Sequence, residues 1–112
     1  MTSFDQACGY FIASLTGRSQ QTRDAYELDL LQFKLFLVLY RRHLMVRGDA
    51  ERVALLKAEL AKSQGKLLDT RASRRQHRLE VRSRALLDEF DLDLSRLTKE
   101  DIVAYFGYLE SE

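Results

Sequence analysis

Six residues constrain this chain more than any other feature: Tyr26, Leu30, Phe33, Leu37, Tyr40 and Leu44 recur at alternating spacings of four and three. An α-helix returns side chains to one face with that period, whereas a strand would need every second residue. The spacing predicts a helix capped by Ser19 and running to about Arg47. Between Leu35 and Tyr40 the sequence is apolar on every face, which suits a central element packed from several sides. A six-residue strand is the competing reading of that run alone, and the flanking period decides for the helix.

The rest of the chain follows the same logic. It contains no proline, so nothing forces a helix to break. Ser3 and Gln6 have the spacing of a capping box, and Phe4, Ala7, Cys8, Phe11, Ile12 and Leu15 then form one stripe before Gly17. Gly48-Asp49 supplies a stop and a new cap, after which Val53, Leu56 and Leu60 share a stripe that fades toward Ser63-Gln64-Gly65. A further helix is expected from about Thr70 to Phe90, with Leu79, Leu86 and Phe90 on one side. These two helices are expected to pair as a hairpin. Asp91 to Leu97 breaks the pattern, and Thr98 with Asp101 opens a last helix carrying Ile102, Tyr105, Phe106 and Leu109. The expected fold is all-α, a bundle of four to five helices. At 112 residues the chain amounts to a single domain with one modest core.

With 46% hydrophobic and 31% charged residues the composition is that of a folded, soluble chain. The longest apolar run, Leu35 to Tyr40, is far shorter than the roughly 20 residues a membrane span needs. No secretion signal is visible at the N-terminus, so a cytoplasmic location is expected. Cys8 is the only cysteine and its place on an apolar face marks it as a small core residue rather than a reactive thiol. His43 and His77 lack the paired spacing of a zinc helix, and there is no glycine-rich phosphate loop. No cofactor, metal or small-molecule substrate is expected.

The net charge of +1 hides a strong asymmetry. Residues 1–40 carry three basic and four acidic side chains, residues 41–84 thirteen and five, and residues 85–112 two and eight, which gives −1, +8 and −6. A local excess of that size attracts phosphate whatever the distant acidic end contributes, because charges beyond roughly 8 Å are screened. Two clusters stand out. Arg18, Ser19, Gln20, Gln21, Thr22 and Arg23 sit at the start of the second helix, where unpaired N–H groups and the helix dipole favour an anion. Arginine and glutamine also suit guanine and adenine edges. Arg71, Arg74, Arg75, Arg78 and Arg82 fall within about 100° of helical arc at the ~100° per residue of a helix. A charge run is usually a solvated face. Here the acids are sparse and every cation is an arginine, which pairs bidentately with phosphate. A second reading pairs this stripe with the acidic stretch Asp88-Glu89-Asp91-Asp93 of a neighbouring subunit.

Ser19, Thr22, Tyr26, Asp29, Leu30 and Phe33, followed by Leu97, Thr98, Asp101, Ile102 and Tyr105, resemble the core-binding domain of tyrosine recombinases, the phage-integrase family. That domain typically carries Ser-x-x-Thr-x-x-x-Tyr-x-x-Asp-Leu-x-x-Phe and then Leu-Thr-x-x-Asp-Ile-x-x-Tyr. Tyr10 to Leu15 also resembles its first helix. The resemblance covers residues 3–40 and 91–110. Tyr26, Leu30 and Phe33 read as core, and Thr22 and Asp29 as residues placed to cap, bond or meet a ligand. Residues 45–90 depart from the family pattern and read as a helical insertion.

The resemblance implies an orthogonally packed bundle of the SAM-like type, whose second helix enters the major groove while the domain forms one jaw of a clamp on double-stranded DNA. It implies other recombinase subunits as partners and places the catalytic groups in a separate C-terminal domain that this chain lacks. Family members also continue beyond the equivalent of Glu112 into another helix against the DNA. Tyr10, Tyr26, Tyr40, Tyr105 and Tyr108 lie at core-like helical spacings, so core or rim packing is expected of each and none is a candidate nucleophile. The rival reading is a protein-interaction module in which residues 49–90 dock a partner.

Overall fold

The computed structural model describes residues 2–62 and 81–111. Among them are five α-helices and one two-stranded antiparallel sheet: α1 (Phe4–Ala13), α2 (Gln20–Tyr40), β1 (Met45–Arg47), α3 (Ala50–Lys62), α4 (Val81–Leu87), β2 (Asp91–Leu92) and α5 (Lys99–Ser111). The chain is an all-α bundle with a small β junction.

The helix starts follow their caps. Ser3 accepts from the Gln6 N–H and Ser19 from the Thr22 N–H, and Asp49 accepts from the Arg52 N–H at 2.9 Å. Each side chain satisfies one of the donors that a helix start leaves unpaired. α1 and α2 pack antiparallel, with Phe4 against Phe33 and Phe11 against Tyr26. Leu35 to Leu39 are all buried, so the second half of α2 is the central element its composition implies. Around it lie Phe4, Leu44, Val53, Leu56, Leu60, Leu87, Phe90 and Leu92. Complete burial of a side chain such as Leu37 or Leu56 contributes about 1.5–3 kcal/mol.

α2 does not reach Arg47. It ends at Tyr40, Arg41 leaves helical geometry (φ −129°, ψ 58°), and a 3-10 turn at Arg42–Leu44 leads into β1. Leu44 keeps its place in the apolar period and is fully buried, but a turn rather than a helix puts it there. β1 pairs with β2 through Met45 opposite Leu92 and Arg47 opposite Asp91, with an irregularity between. The Asp93 N–H donates to the Leu44 carbonyl at 2.8 Å and the Leu94 N–H to the Thr2 carbonyl at 2.8 Å. Three segments far apart in sequence are thereby joined.

Asp91 and Asp93 hold that junction. Asp91 accepts from the Ser3 hydroxyl at 2.6 Å and from the Leu92 and Asp5 N–H groups at 2.9 and 3.3 Å. Burial opposes its charge, but these bonds and nearby Arg47 outweigh it and hold the carboxyl below its usual range. Asp93 accepts from the Ser95 hydroxyl at 2.6 Å and the Thr2 N–H at 3.1 Å. Arg47 donates to the carbonyls of Asp88, Glu89 and Phe90 at 3.0–3.3 Å, capping the carbonyl end beyond α4. Gly48 has φ 116°, and a Cβ there would stand 2.2 Å from the Phe90 ring. Glycine is required on both counts.

Beneath α1, Lys34 is 3% exposed and pairs with Asp5 at 2.8 Å. Cys8 packs against the core as expected, and burial, with Asp5 adding to it, pushes its thiol up to about 11. Such a thiol stays protonated and inert at neutral pH.

Candidate nucleic-acid interface

The turn between α1 and α2 is closed by the Leu15 N–H donating to the Ile12 carbonyl and the Arg18 N–H donating to the Leu15 carbonyl. This delivers Ser19 in extended geometry (φ −64°, ψ 156°) as the cap of α2. The Ser19 Oγ accepts from the Thr22 N–H at 3.2 Å and donates to the Thr22 Oγ1 at 3.0 Å. The Ser19 hydroxyl is therefore committed to the cap, with the Thr22 oxygen as its acceptor. Gln20 donates from Nε2 to Asp24 at 2.8 Å, while Arg18 and Gln21 are exposed. The N–H groups of Gln20 and Gln21 lie in the first helical turn, which has no intrahelical acceptor to offer.

Arg18 to Thr22 thus assemble at one exposed helix end. Arg23 differs: it is half-buried, and its Nε is buried without a hydrogen-bond partner. Beyond the first turn the exposed face of α2 carries Asp24 and Asp29, so an anion is favoured at the helix end and opposed along the shaft.

Of the arginine stripe, Arg82 lies in α4. Arg71, Arg74, Arg75 and Arg78 lie outside the described residues, as do His77, Leu79 and the expected helix start at Thr70. The described continuation holds a residue absent from the sequence-based site, Arg84, whose Nη2 meets the Glu27 carboxylate of α2 at 2.6 Å. Nothing in the arginine spacing marks it, because it is off the stripe and its partner is 57 residues away.

Within the acidic stretch Asp88 is exposed, while the other three acids have partners inside the fold. Asp91 and Asp93 are buried and serve the junction, and Glu89 pairs with Arg52 at 3.2 Å. Short acidic runs read as solvated until their backbone partners are known.

The second motif is structural at its centre. Asp101 is 1% exposed. Its Oδ2 accepts from the Thr98 N–H at 2.9 Å and the Thr98 hydroxyl at 3.1 Å, and its Oδ1 lies 3.3 Å from Arg41 Nε and 3.4 Å from His43 Nε2. Burial acts to raise the carboxyl, yet the Thr98 bonds and His43 hold it below its usual range. Tyr105 packs on Phe33 and Phe36 at 4.7 and 5.2 Å, and Tyr108 on Phe36 and Tyr40 at 5.1 and 5.7 Å.

The other three tyrosines are more open than their spacing implies. Tyr10 is 74%, Tyr26 44% and Tyr40 55% exposed. Leu30 and Phe33 are partly buried as expected, whereas Tyr26 meets mainly the edge of Phe11. Among the described residues the apolar stripe continues past the region that neighbours cover.

Among the described residues no group of three or more His, Cys, Asp or Glu side chains is placed to hold a metal ion, and no helix is long and apolar enough to cross a membrane. No known family model matches the chain, and neither a curated protein nor a solved structure does so.

Proposed function

We propose that this chain is a DNA-gripping core-binding domain of a tyrosine recombinase, holding the recombination-site duplex and positioning a catalytic domain supplied outside residues 1–112. One observation carries the reading: the two segments that resemble the family, residues 3–40 and 91–110, pack as one unit. Tyr105 of the second packs on Phe33 of the first, and Asp101 reaches back to Arg41 at the end of α2. Residues between them form the α3 and α4 elements of an insertion.

In this reading the open N-terminus of α2 takes a backbone phosphate through the Gln20 and Gln21 N–H groups, with Arg18 adding charge. Ser19 and Thr22 set the helix end rather than contact bases. Arg71, Arg74, Arg75, Arg78 and Arg82 supply a second contact. The domain carries out no chemistry and uses no cofactor. It acts in the cytoplasm with other recombinase subunits.

The test is a fluorescence-anisotropy titration of a labelled ~30-base-pair duplex at about 50 and 200 mM salt. With roughly 4–6 phosphate contacts, the log–log salt slope is about −4 to −5. Replacing Arg18 and Arg23 together weakens binding. A chain that ignores duplex at the lower salt overturns the proposal and leaves residues 49–90 as the dock for a protein partner.

A further inference from the structure

The carbonyl end of α2 and the amide end of α5 meet at Asp101, so their dipoles oppose one another and side-chain charge decides the potential there. Two guanidinium groups and an imidazole stand over two carboxylates. Arg41 Nε and His43 Nε2 lie 3.3 and 3.4 Å from one Asp101 oxygen. Arg96, in a 3-10 turn at Leu94–Arg96, lies 3.5 Å from Asp93 and donates to the His43 carbonyl at 3.4 Å. The side chains of Asp101 and Asp93 are 2% and 8% exposed, whereas those of Arg41, His43 and Arg96 are 32%, 53% and 59% exposed. The acids are sealed in and the donors above them face water.

Neutral donors already serve both acids. Asp101 accepts from the Thr98 N–H and hydroxyl at 2.9 and 3.1 Å, and Asp93 from the Ser95 hydroxyl, the Ser95 N–H and the Thr2 N–H at 2.6, 3.0 and 3.1 Å. The contacts from Arg41, His43 and Arg96 are all longer than the roughly 2.7–2.9 Å of a strong charge-assisted bond. A guanidinium has five N–H donors, so these long contacts leave most donors of Arg41 and Arg96 open. Arg42 is exposed beside them, while the exposed Lys99 and Glu100 offset one another. Three guanidinium charges against two buried carboxylates leave an excess of one, and protonation of His43 makes it two.

We infer that Arg41, His43 and Arg96 form a binding site for a phosphate-type oxyanion at the α2–α5 joint; that its occupant is a DNA backbone phosphate rests on the duplex-binding reading. An oxyanion supplies several acceptor oxygens to the open guanidinium donors and favours the charged imidazole, so its binding and His43 protonation are linked. Asp101 lies beneath the site and limits its affinity. α2 has 21 residues, which separates this site from the start of α2 by about 30 Å at ~1.5 Å per residue. The two contacts therefore act independently.

The experiment follows the His43 ring resonances by NMR through a pH titration of the full chain in sodium sulfate, which keeps its charge throughout, and in sodium chloride of equal ionic strength. His43→Asn identifies the signals, and circular dichroism checks that Arg96→Gln keeps its helicity. Sulfate is expected to raise the His43 midpoint by about 0.5–1 unit, and Arg96→Gln to remove most of that rise. A second arm adds the ~30-base-pair duplex at about 50 mM salt. A backbone phosphate in the site raises the same midpoint, and Arg96→Gln then lowers the magnitude of the salt slope by about 0.9. A rise with duplex and none with sulfate supports the site with the backbone as its source. A rise with sulfate alone supports the site and overturns the backbone as its occupant; if that chain also ignores duplex, the duplex-binding reading falls separately. A midpoint unmoved by both, or a rise that Arg96→Gln leaves intact, overturns the site.

Discussion

α2 and α5 open in the same way and end up in opposite electrostatic states. Each begins with a hydroxyl residue whose oxygen accepts from the N–H three positions on: Ser19 from Thr22, and Thr98 from Asp101. At α5 the third residue is an acid that returns a bond to the Thr98 N–H and is buried between Arg41 and His43. Its helix end carries its own anion. At α2 the third residue is the neutral Thr22, so the positive end is left without one. One motif fastens the fold and the other leaves its helix end without an anion of its own, although both look alike as helix starts.

That contrast can be broken most severely at Asp101. Asp101→Ala removes a carboxylate that accepts two Thr98 bonds and leaves Arg41 without its partner; the expected loss is about 2–3 kcal/mol in urea unfolding. Acid acts on the same group by degrees. Its folded-state carboxyl lies below the usual value, so its stabilisation is present above the unfolded carboxyl pKa of about 3.9 and disappears as pH falls through the folded one. Stability of the unaltered chain therefore falls below about pH 4, and Asp101→Asn flattens part of that fall.

Ser19→Ala is the matching change at α2 and is expected to cost only about 0.5–1 kcal/mol, because an exposed cap can be replaced by water. The smallest effect sharpens the comparison furthest. Thr22→Glu gives α2 an internal anion like that of α5. It is expected to raise stability by about 0.3–1 kcal/mol while weakening duplex binding in the anisotropy titration. A variant that gains stability and keeps its full affinity would remove the open helix end as an anion site.

Sequence reading recovers four helix starts because capping is local: Ser3, Ser19, Asp49 and Thr98 each meet a partner within three residues. It also recovers the central half of α2, where five consecutive apolar residues leave no polar face. It misses what depends on distant partners. Met45–Arg47 and Asp91–Leu92 are too short to show a strand period, and they hold together through Asp91, Asp93 and the Arg47 contacts with residues 88–90. Tyr26 keeps a core-like spacing and is exposed because helical period reports a face, not what covers it. In the candidate site, Ser19 and Thr22 at the α2 start are legible as a cap, while the pairing of Arg84 with Glu27 requires knowing that α4 meets α2.

The β junction also dictates an order of events. Its side-chain bond from Ser3 to Asp91 spans 88 residues, and that from Thr2 to Asp93 spans 91. The helices close short loops and form early, whereas such remote pairings form late. At a synthesis rate of about 5–20 residues per second, the 88 residues after Ser3 take roughly 4–18 s to appear. Throughout that interval α1 has no junction to hold its first turn, and Phe4 has only α2, through Phe33, to pack against. A nascent chain stalled before Asp91 is thus the form most prone to capture by a chaperone or to mispairing with another chain.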